Sequence, residues 1–190
     1  MSGLIPGNIE PGQGKLLIAE PFLKDTYFRR TVVLLAAHNE EGSFGFILNK
    51  ELEISLCELI KDLPDVKTKV FLGGPVQRDN LFYIHSLGDI VENSVEIGGG
   101  IYWGGDFETI KSLIRRNEVS RKQVRFFIGY SGWSPGQLDE ELKERSWIIS
   151  DLDKKRVLES RHKDLWKNAL KDMGSEYAQF ANYPEDPQLN

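Results

Sequence analysis

The amino-acid sequence predicts an α+β fold in which several helices flank a mixed or antiparallel sheet. Short β-rich apolar runs follow one another along the chain, and only a few amphipathic segments with helical periodicity interrupt them. Strands and helices do not alternate regularly, as they would in a doubly wound parallel sheet. At 190 residues the chain has the length of one domain. We therefore expect residues 1–190 to form a single compact domain, with a loose arm at 1–13 and an extended tail at 175–190.

Eight runs have the length and the apolar, β-branched or aromatic content that is typical of strands. A turn at 39–43 separates two of them by a short Gly-containing loop, which predicts a hairpin. The predicted strands are Lys15–Glu20, Thr31–Ala37, Phe44–Leu48, Val70–Leu72, Leu81–Ile84, Ile101–Trp103, Val124–Tyr130 and Trp147–Ile149.

Four helices are predicted from their capping signals and apolar faces. Ser55 begins a capping box that starts a short helix, and Asp106 caps a longer amphipathic one. A second capping box begins at Ser134 and places Pro135 at the first helical position, where its missing N–H is tolerated. The last predicted helix covers Arg161–Met173 and stops at Gly174.

Composition and charge exclude several classes of protein. The net charge of −5 argues against non-specific nucleic-acid binding, which needs a positive field. Cys57 is the only cysteine, so no intrachain disulfide can form and a reducing compartment fits. The N-terminus carries no secretion signal, and the longest apolar run is too short to cross a membrane. We expect a soluble cytoplasmic protein that is not attached to a membrane.

Two glycine-rich motifs resemble catalytic or nucleotide-binding signatures but are incomplete. Gly129–Trp133 lies between a strand and a helix, yet Trp133 stands where a nucleophile elbow has its second glycine, so a tight turn is favoured. Gly98–Asp106 has Trp103 where a dinucleotide fingerprint has its third glycine. Free N–H groups after Gly104 would attract an anion, but Asp106 fits better there as a helix cap.

The remaining polar signals are weaker. Gly73 and Gly74 fit either a turn or a nest of N–H groups for an anion. The three histidines are too widely spaced to predict a metal site, and no cofactor is predicted. Cys57 fits a small buried apolar residue better than a reactive thiol. Basic pairs such as Arg121–Lys122 are flanked by acidic residues, which favours a mixed solvated surface over a nucleic-acid patch.

An ordered series of short motifs runs through nearly the whole chain, from Gly14 to Asn190. Its members are Gly14–Pro21, Phe28–Leu35, His38, Gly42–Asn49, Val70–Val76, Leu81–His85, Gly104–Phe107, Arg125–Trp133, Gly136–Leu138, Leu165–Trp166 and Pro184–Asn190. In this series the chain resembles the AlgH/YqgE family of bacterial proteins.

The resemblance implies a compact α+β fold around a strongly curved, barrel-like sheet. The family is largely uncharacterised, its description as transcriptional regulators is a loose label, and it implies no catalytic residue. We take the polar and glycine positions of the matched motifs as candidate ligand-binding residues, because they stand in loops and at strand ends. They are Arg30, Thr31, His38, Ser43, Asn49, Gly73, Gly74, His85, Asp106, Tyr130, Ser131, Trp133 and Gln137.

Three functions stay open at this point. The first is a protein that binds a small molecule or nucleotide, with or without catalysis, because many polar loops end strands near Trp133. The second is a regulatory module that binds a protein partner without binding DNA directly, because no catalytic motif is complete. Direct DNA binding is the third and has only the family label behind it, since no recognition-helix motif is visible. The sequence predicts no oligomeric state.

Overall fold

The computed structural model describes residues 9–64, 68–159 and 161–183. Within these ranges the strands are β1 (Leu16–Ala19), β2 (Val32–Asn39), β3 (Gly42–Ile47), β4 (Glu51–Ser55), β5 (Lys69–Leu72), β6 (Val76–His85), β7 (Val95–Gly98), β8 (Ile101–Trp103), β9 (Val124–Trp133) and β10 (Trp147–Ser150). The α-helices are α1 (Leu56–Leu59), α2 (Phe107–Arg115), α3 (Gln137–Lys143), α4 (Lys154–Glu159), α5 (Leu165–Asp172) and α6 (Ser175–Ala178). The predicted α+β class is confirmed.

The described strands form one large sheet that is mostly antiparallel. Eight strands follow one another in the order β10-β1-β2-β3-β9-β6-β8-β7. Strand β5 lies beside β9 in the parallel direction, and β4 pairs with β5. The sheet is therefore mixed, as predicted. Its row of strands has two open ends and is not closed or strongly curled, so the barrel-like shape implied by the resemblance is not confirmed.

Strands β1 and β2 are buried on both faces, which explains their uninterrupted apolar sequences. Alternate residues of β1 point to opposite faces. Ile18 belongs to a cluster that includes Trp166 and Leu170 of α5, whereas Leu17 packs in another cluster with Leu138 of α3. A third cluster lies where α1 and α2 cover β5, β6 and β9. Helices thus cover both faces of the sheet.

Strand β9 changes its alternation at Gly129. Phe127 packs in the cluster that contains α5, and Tyr130, three residues later, packs against the same cluster. In a regular strand, residues three apart point to opposite faces. Gly129 has a φ of 69°, a conformation that favours glycine, and the register between β6 and β9 shifts beside it. The left-handed Gly129 thereby turns Tyr130 back to the face of Phe127.

Gly73 lies at the point where β9 exchanges one neighbouring strand for another. Its N–H donates to the Ile128 carbonyl and its carbonyl accepts from the Ile47 N–H, both at 2.9 Å. Along one edge, β9 therefore pairs first with β5 and then with β3. A Cβ at Gly73 would lie only 2.2 Å from the Gly129 carbonyl oxygen, so this close approach requires glycine.

Some predicted elements differ from the structure. Strands β4 and β7 and helix α4 were not predicted, and β6 begins five residues before its predicted start. Helix α3 begins at Gln137 rather than at Pro135, because Gly136 has a φ of 75°. The predicted helix over Arg161–Met173 is divided into a 3-10 turn at His162–Asp164 and helix α5.

The chain ends also differ from the prediction in part. Residues 175–182 form α6 and a 3-10 turn instead of an extended tail, and residues 184–190 lie outside the described ranges. Of the predicted N-terminal arm only 9–13 are described, and they form no helix or strand. None of the helices in the described ranges combines the length and the apolar character that crossing a bilayer requires.

Replacing Gly73 by alanine tests the strand exchange. The added Cβ collides with fixed backbone, so we expect Gly73→Ala to lower the free energy of unfolding by about 2–3 kcal/mol. Gly12→Ala is the matched control, because the nearest atom to its added Cβ is 4.0 Å away, and it should change stability by less than about 0.5 kcal/mol. Urea denaturation measures both; equal stabilities of the two variants would contradict the proposed role of Gly73.

Candidate functional site

Half-buried aromatic rings line an open groove on the face of the sheet that carries Phe127. Phe44 contacts Trp103 and Tyr130 edge to face, with ring centroids 5.0 and 5.9 Å apart, and Phe82 contacts Tyr130 at 5.6 Å. Strands β3, β6, β8 and β9 each supply one of these rings. The groove has a volume of about 720 Å³, within the range of roughly 300–1,000 Å³ that is usual for small-molecule sites.

The other end of the groove is polar. The polar lining residues come from the β2–β3 hairpin and from the residue after β9; they are Asn39, Glu41, Ser43 and Ser134. The hydroxyl of Ser43 lies 2.7 Å from Nδ1 of His38, its cross-strand neighbour, so the imidazole orients this hydroxyl. Glu41 is the only charged residue that lines the groove in the described part of the chain. The groove is therefore apolar at one end and polar, with one negative charge, at the other.

Trp133 and Gln137 converge on a residue that the sequence analysis did not select. Glu141 of α3 accepts hydrogen bonds from the indole N–H groups of Trp133 and Trp147, at 2.8 and 2.7 Å. Its second carboxylate oxygen accepts from the Gln137 amide at 2.9 Å. Both tryptophans are 5% exposed, so Glu141 satisfies two indoles that are shielded from water. This network holds α3 and β10 beside the end of the groove at Trp133.

His85 is completely buried and belongs to a second cluster of polar contacts. Its Nε2 lies 3.0 Å from the Gly104 carbonyl oxygen, and its Nδ1 accepts from the Leu87 N–H at 3.1 Å, so the neutral imidazole carries its proton on Nε2. The hydroxyl of Tyr83 donates to the Gly105 carbonyl at 2.7 Å. These two bonds fix the glycine segment that leads into α2.

The charges in this cluster follow from burial. Burial lowers the pKa of His85, against the effect of its bond to Gly104. Burial and, to a lesser extent, the negative charge of Asp106 raise the pKa of Tyr83 to about 12. The side chain of Asp106 accepts from the N–H groups of Glu108 and Thr109, which confirms its predicted role as the cap of α2. The Thr109 hydroxyl, at 2.5 Å, is the main reason that the pKa of Asp106 is lowered.

Arg30, Thr31 and Asn49 form a clamp at the start of β2. The Asn49 side chain accepts from the Val32 N–H at 2.9 Å and donates to the Arg30 carbonyl at 2.8 Å. The buried Thr31 hydroxyl donates to the Phe28 carbonyl at 2.7 Å. Arg30 stacks over Trp166 at 5.0 Å. These side chains connect the loop before β2 to β3 and to α5.

Ser131, Gly73 and Gly74 lie at the strand exchange. The Ser131 side chain is completely buried, and its hydroxyl donates to the Gly73 carbonyl at 2.9 Å. A Cβ at Gly74 would lie 2.2 Å from the backbone carbon of Tyr130. The motif Gly129–Trp133 is part of β9 and not the tight turn that the sequence predicted. Ser131 therefore has no access to a substrate in this structure.

The groove brings together three of the thirteen candidate residues: Ser43, Tyr130 and Trp133. His38 contributes through Ser43, and Gln137 through Glu141. The sequence analysis missed the three rings that complete its apolar end, Phe44, Phe82 and Trp103. Their signal in the sequence was aromatic residues within predicted strands, which core packing explains equally well.

Two further features bear on chemistry. Within the described ranges no three His, Cys, Asp or Glu residues are grouped so that they could hold a metal ion. Cys57 is half-buried rather than buried, and its Sγ lies 3.1 Å from the Ser55 hydroxyl.

The fold and the groove define an α+β protein with a ligand-sized groove on one face of a mixed sheet. Residues 16–178 match the family described as AlgH-like, and the chain belongs to that family. The UPF0301 protein CT0663 of Chlorobaculum tepidum is 42% identical to it over 177 residues, which are 93% of this chain and 95% of that protein.

Two solved structures are similar to the chain over most of its length. The AlgH protein from Pseudomonas aeruginosa has a TM-score of 0.72 and 26% identity, with 92% of this chain and 95% of that chain covered. Protein DIP2367 from Corynebacterium diphtheriae has a TM-score of 0.76 and 22% identity, with 93% and 95% covered, and supports the fold alone.

Removing the Glu141 carboxylate tests the network beside the groove. We expect Glu141→Ala to lower the free energy of unfolding by about 1–3 kcal/mol, because two shielded indole N–H groups lose their acceptor. Glu140→Ala on the same helix removes only an exposed contact with Lys143 and should change stability little. Urea denaturation followed by tryptophan fluorescence measures both; an unchanged midpoint for Glu141→Ala would contradict this role.

Acidification should destabilise the protein through His85. In the folded state the pKa of His85 lies below the unfolded value of about 6.5. The neutral side chain therefore makes its full contribution to the free energy of unfolding above that pH. As the pH falls, the unfolded chain binds a proton that the folded chain does not, and stability decreases. NMR titration of the His85 ring should give a midpoint below that of a histidine in the unfolded chain. A midpoint at or above that value would show that the imidazole is not shielded as described.

Proposed function

We propose that the protein binds a planar organic molecule, neutral or positively charged, in the aromatic groove. The observation that carries this proposal is the wall of four half-buried rings from four strands, which leaves aromatic surface open to a ligand. Burying such surface against a planar molecule is favourable, and offset or edge contacts add to the gain. The volume of about 720 Å³ suits a molecule of drug-like size.

The charge of the groove supports this choice of ligand class. Aromatic faces attract cations, and Glu41 adds a negative charge at the polar end. No lysine or arginine lines the groove in the described ranges, so an anion would find no countercharge there. The Ser43 and Tyr130 hydroxyls offer hydrogen bonds that would orient a heteroaromatic ring. Binding requires no complete catalytic motif, which agrees with the absence of one in the sequence.

The location and the biological role of the protein are also proposals. We propose a cytoplasmic location, which the composition and the single cysteine support. A regulatory role without direct DNA binding, exerted through a protein partner, is the alternative function, and its basis is that the sequence contains no complete catalytic motif.

Three ligands with the same ring and different charges test the groove. They are tryptamine (cationic), indole (neutral) and indole-3-acetate (anionic), each titrated into ¹⁵N-labelled protein. We expect the chemical-shift changes in the NMR spectra to cluster at Phe44, Tyr130 and Gly132. Tryptamine should bind roughly two- to fivefold tighter than indole, and indole-3-acetate should bind most weakly. Phe82→Ala should weaken all three ligands alike.

Matched charge variants make the test specific. Glu41→Gln should remove the preference for tryptamine over indole, whereas Glu40→Gln, an exposed neighbour outside the groove, should leave it unchanged. Chemical-shift changes scattered over the surface, or tighter binding of the anion, would contradict the proposal. The absence of chemical-shift changes with all three ligands would also reject it and would favour the regulatory role through a protein partner.

A further inference from the structure

A second cavity, separate from the groove, carries a concentration of positive charge that is unusual in this acidic chain. It has a volume of about 470 Å³ and lies beside β5 and the start of β9, next to the segment between α4 and α5. Two carboxylates, Glu159 and Asp164, line it. Six cationic side chains also line it: Lys69, Arg121, Lys122, Arg125, Arg161 and Lys163. The chain as a whole has a net charge of −5, so this local excess is not a property of the general surface.

Arg125 is the buried member of this set. It alternates along β9 with Val124 and Phe126, which pack in the cluster under α2, and it therefore points to the opposite face. Only 7% of the residue is exposed. Its guanidinium lies 4.8 Å from the centroid of the Phe71 ring, and one nitrogen donates to the Leu48 carbonyl at 3.1 Å. Among the described residues no carboxylate forms an ion pair with it.

A buried cation without a carboxylate partner is energetically unfavourable. Burial lowers the pKa of Arg125 to about 10, which still leaves the side chain charged at neutral pH. A guanidinium has five N–H donors, and here one is directed to a backbone carbonyl. The remaining donors of a side chain that lines a cavity are available to a ligand that brings its own negative charge.

The other cations of the cavity divide into two groups. Lys69 is bound by Glu51 at 2.7 Å and Lys122 by Glu159 at 3.3 Å, so these charges are compensated. Arg121, Arg161 and Lys163 are exposed and form no ion pair within the described ranges. Glu51 also contacts the His162 ring, whose pKa is lowered first by burial and further by Lys69, Arg125 and Lys163, although Glu51 raises it. Asp164 offsets one of these charges, so the cavity keeps a net excess of positive charge together with Arg125.

We propose that this cavity binds a small phosphorylated molecule, with Arg125 as the buried anchor and Arg121, Arg161 and Lys163 as exposed contacts. A planar guanidinium can donate two parallel N–H bonds to two oxygens of one phosphate, and several cations suit a group with more than one negative charge. The volume exceeds what a single phosphate fills, and Phe71 and Leu158, which belong to the cluster on the side of Arg125, also line the cavity and can contact an organic part. A nucleic-acid strand fits less well, because it needs an extended basic track and the acidic remainder of the chain would repel it.

Calorimetric titration at constant ionic strength tests the site with three probes: inorganic phosphate, pyrophosphate and adenosine monophosphate. We expect adenosine monophosphate to bind tightest if the organic part uses the apolar wall. Pyrophosphate would bind tightest if charge alone decides, and either result supports a phosphate site. The double variant Arg121→Ser/Arg161→Ser should weaken binding at least tenfold. The control Arg29→Ser/Arg78→Ser removes two exposed arginines outside the cavity and should change affinity less than twofold.

Arg125→Met separates the buried anchor from the exposed contacts. It should abolish the rise in melting temperature that the probes produce in the unsubstituted protein. If this variant does not fold, the exposed double variant still decides the question. Three results would overturn the proposal: no binding of any probe at millimolar concentration, equal losses in both double variants, or displacement of adenosine monophosphate by duplex DNA at lower concentration than by pyrophosphate. The groove experiment is independent of all of them.

Discussion

The close approach of Gly73 to strand β9 is the constraint on which the other features depend. Its N–H and carbonyl connect β9 to β3, and no side chain fits between it and Gly129. Strand β9 can therefore take a parallel partner along its first half and an antiparallel one along its second. The left-handed Gly129 at the same place turns Tyr130 toward the cluster of Phe127. Without that turn the groove would lose one of its four rings.

Two environments of opposite charge lie on this face of the sheet, and β9 contributes to both. Tyr130 lines the groove, whose charge comes from Glu41, and Arg125 lies in the cationic cavity. Between them the rings are in contact: Phe46 stacks on Phe127 at 4.9 Å, and Phe127 lies 6.3 Å from Phe71. A packed aromatic core therefore lies between the groove that contains Glu41 and the cavity that contains Arg125.

The hydrophobic pattern of the sequence correctly predicted the strands and caps that depend on a few neighbouring residues. The apolar runs of β1, β2 and β9 and the cap of α2 by Asp106 were recognisable because burial and capping act over a few residues. The edge strands β4 and β7 were not, although apolar and polar residues alternate in both, because each has only two apolar residues and is too short to be distinguished from a loop. The sites were predicted only in part. Ser43, Tyr130 and Trp133 were candidates, but nothing local indicates that they line one groove. Gly129 reverses the alternation of β9 and turns Tyr130 to that side, and Arg121 becomes part of a cluster only through the fold.

The position of β9 also has a consequence for how the chain acquires its structure during synthesis. Ser43 of β3 pairs with Trp133 of β9, nearly half the chain away, and β5 and β6 pair with the same strand. A nascent chain emerges from the ribosome N-terminal end first, so these three strands wait with open edges until β9 has left the exit tunnel. Such non-local pairing slows folding and leaves apolar strands open to other chains in the meantime. Chaperone contact during translation is therefore expected at the edges of β3, β5 and β6 that β9 later covers.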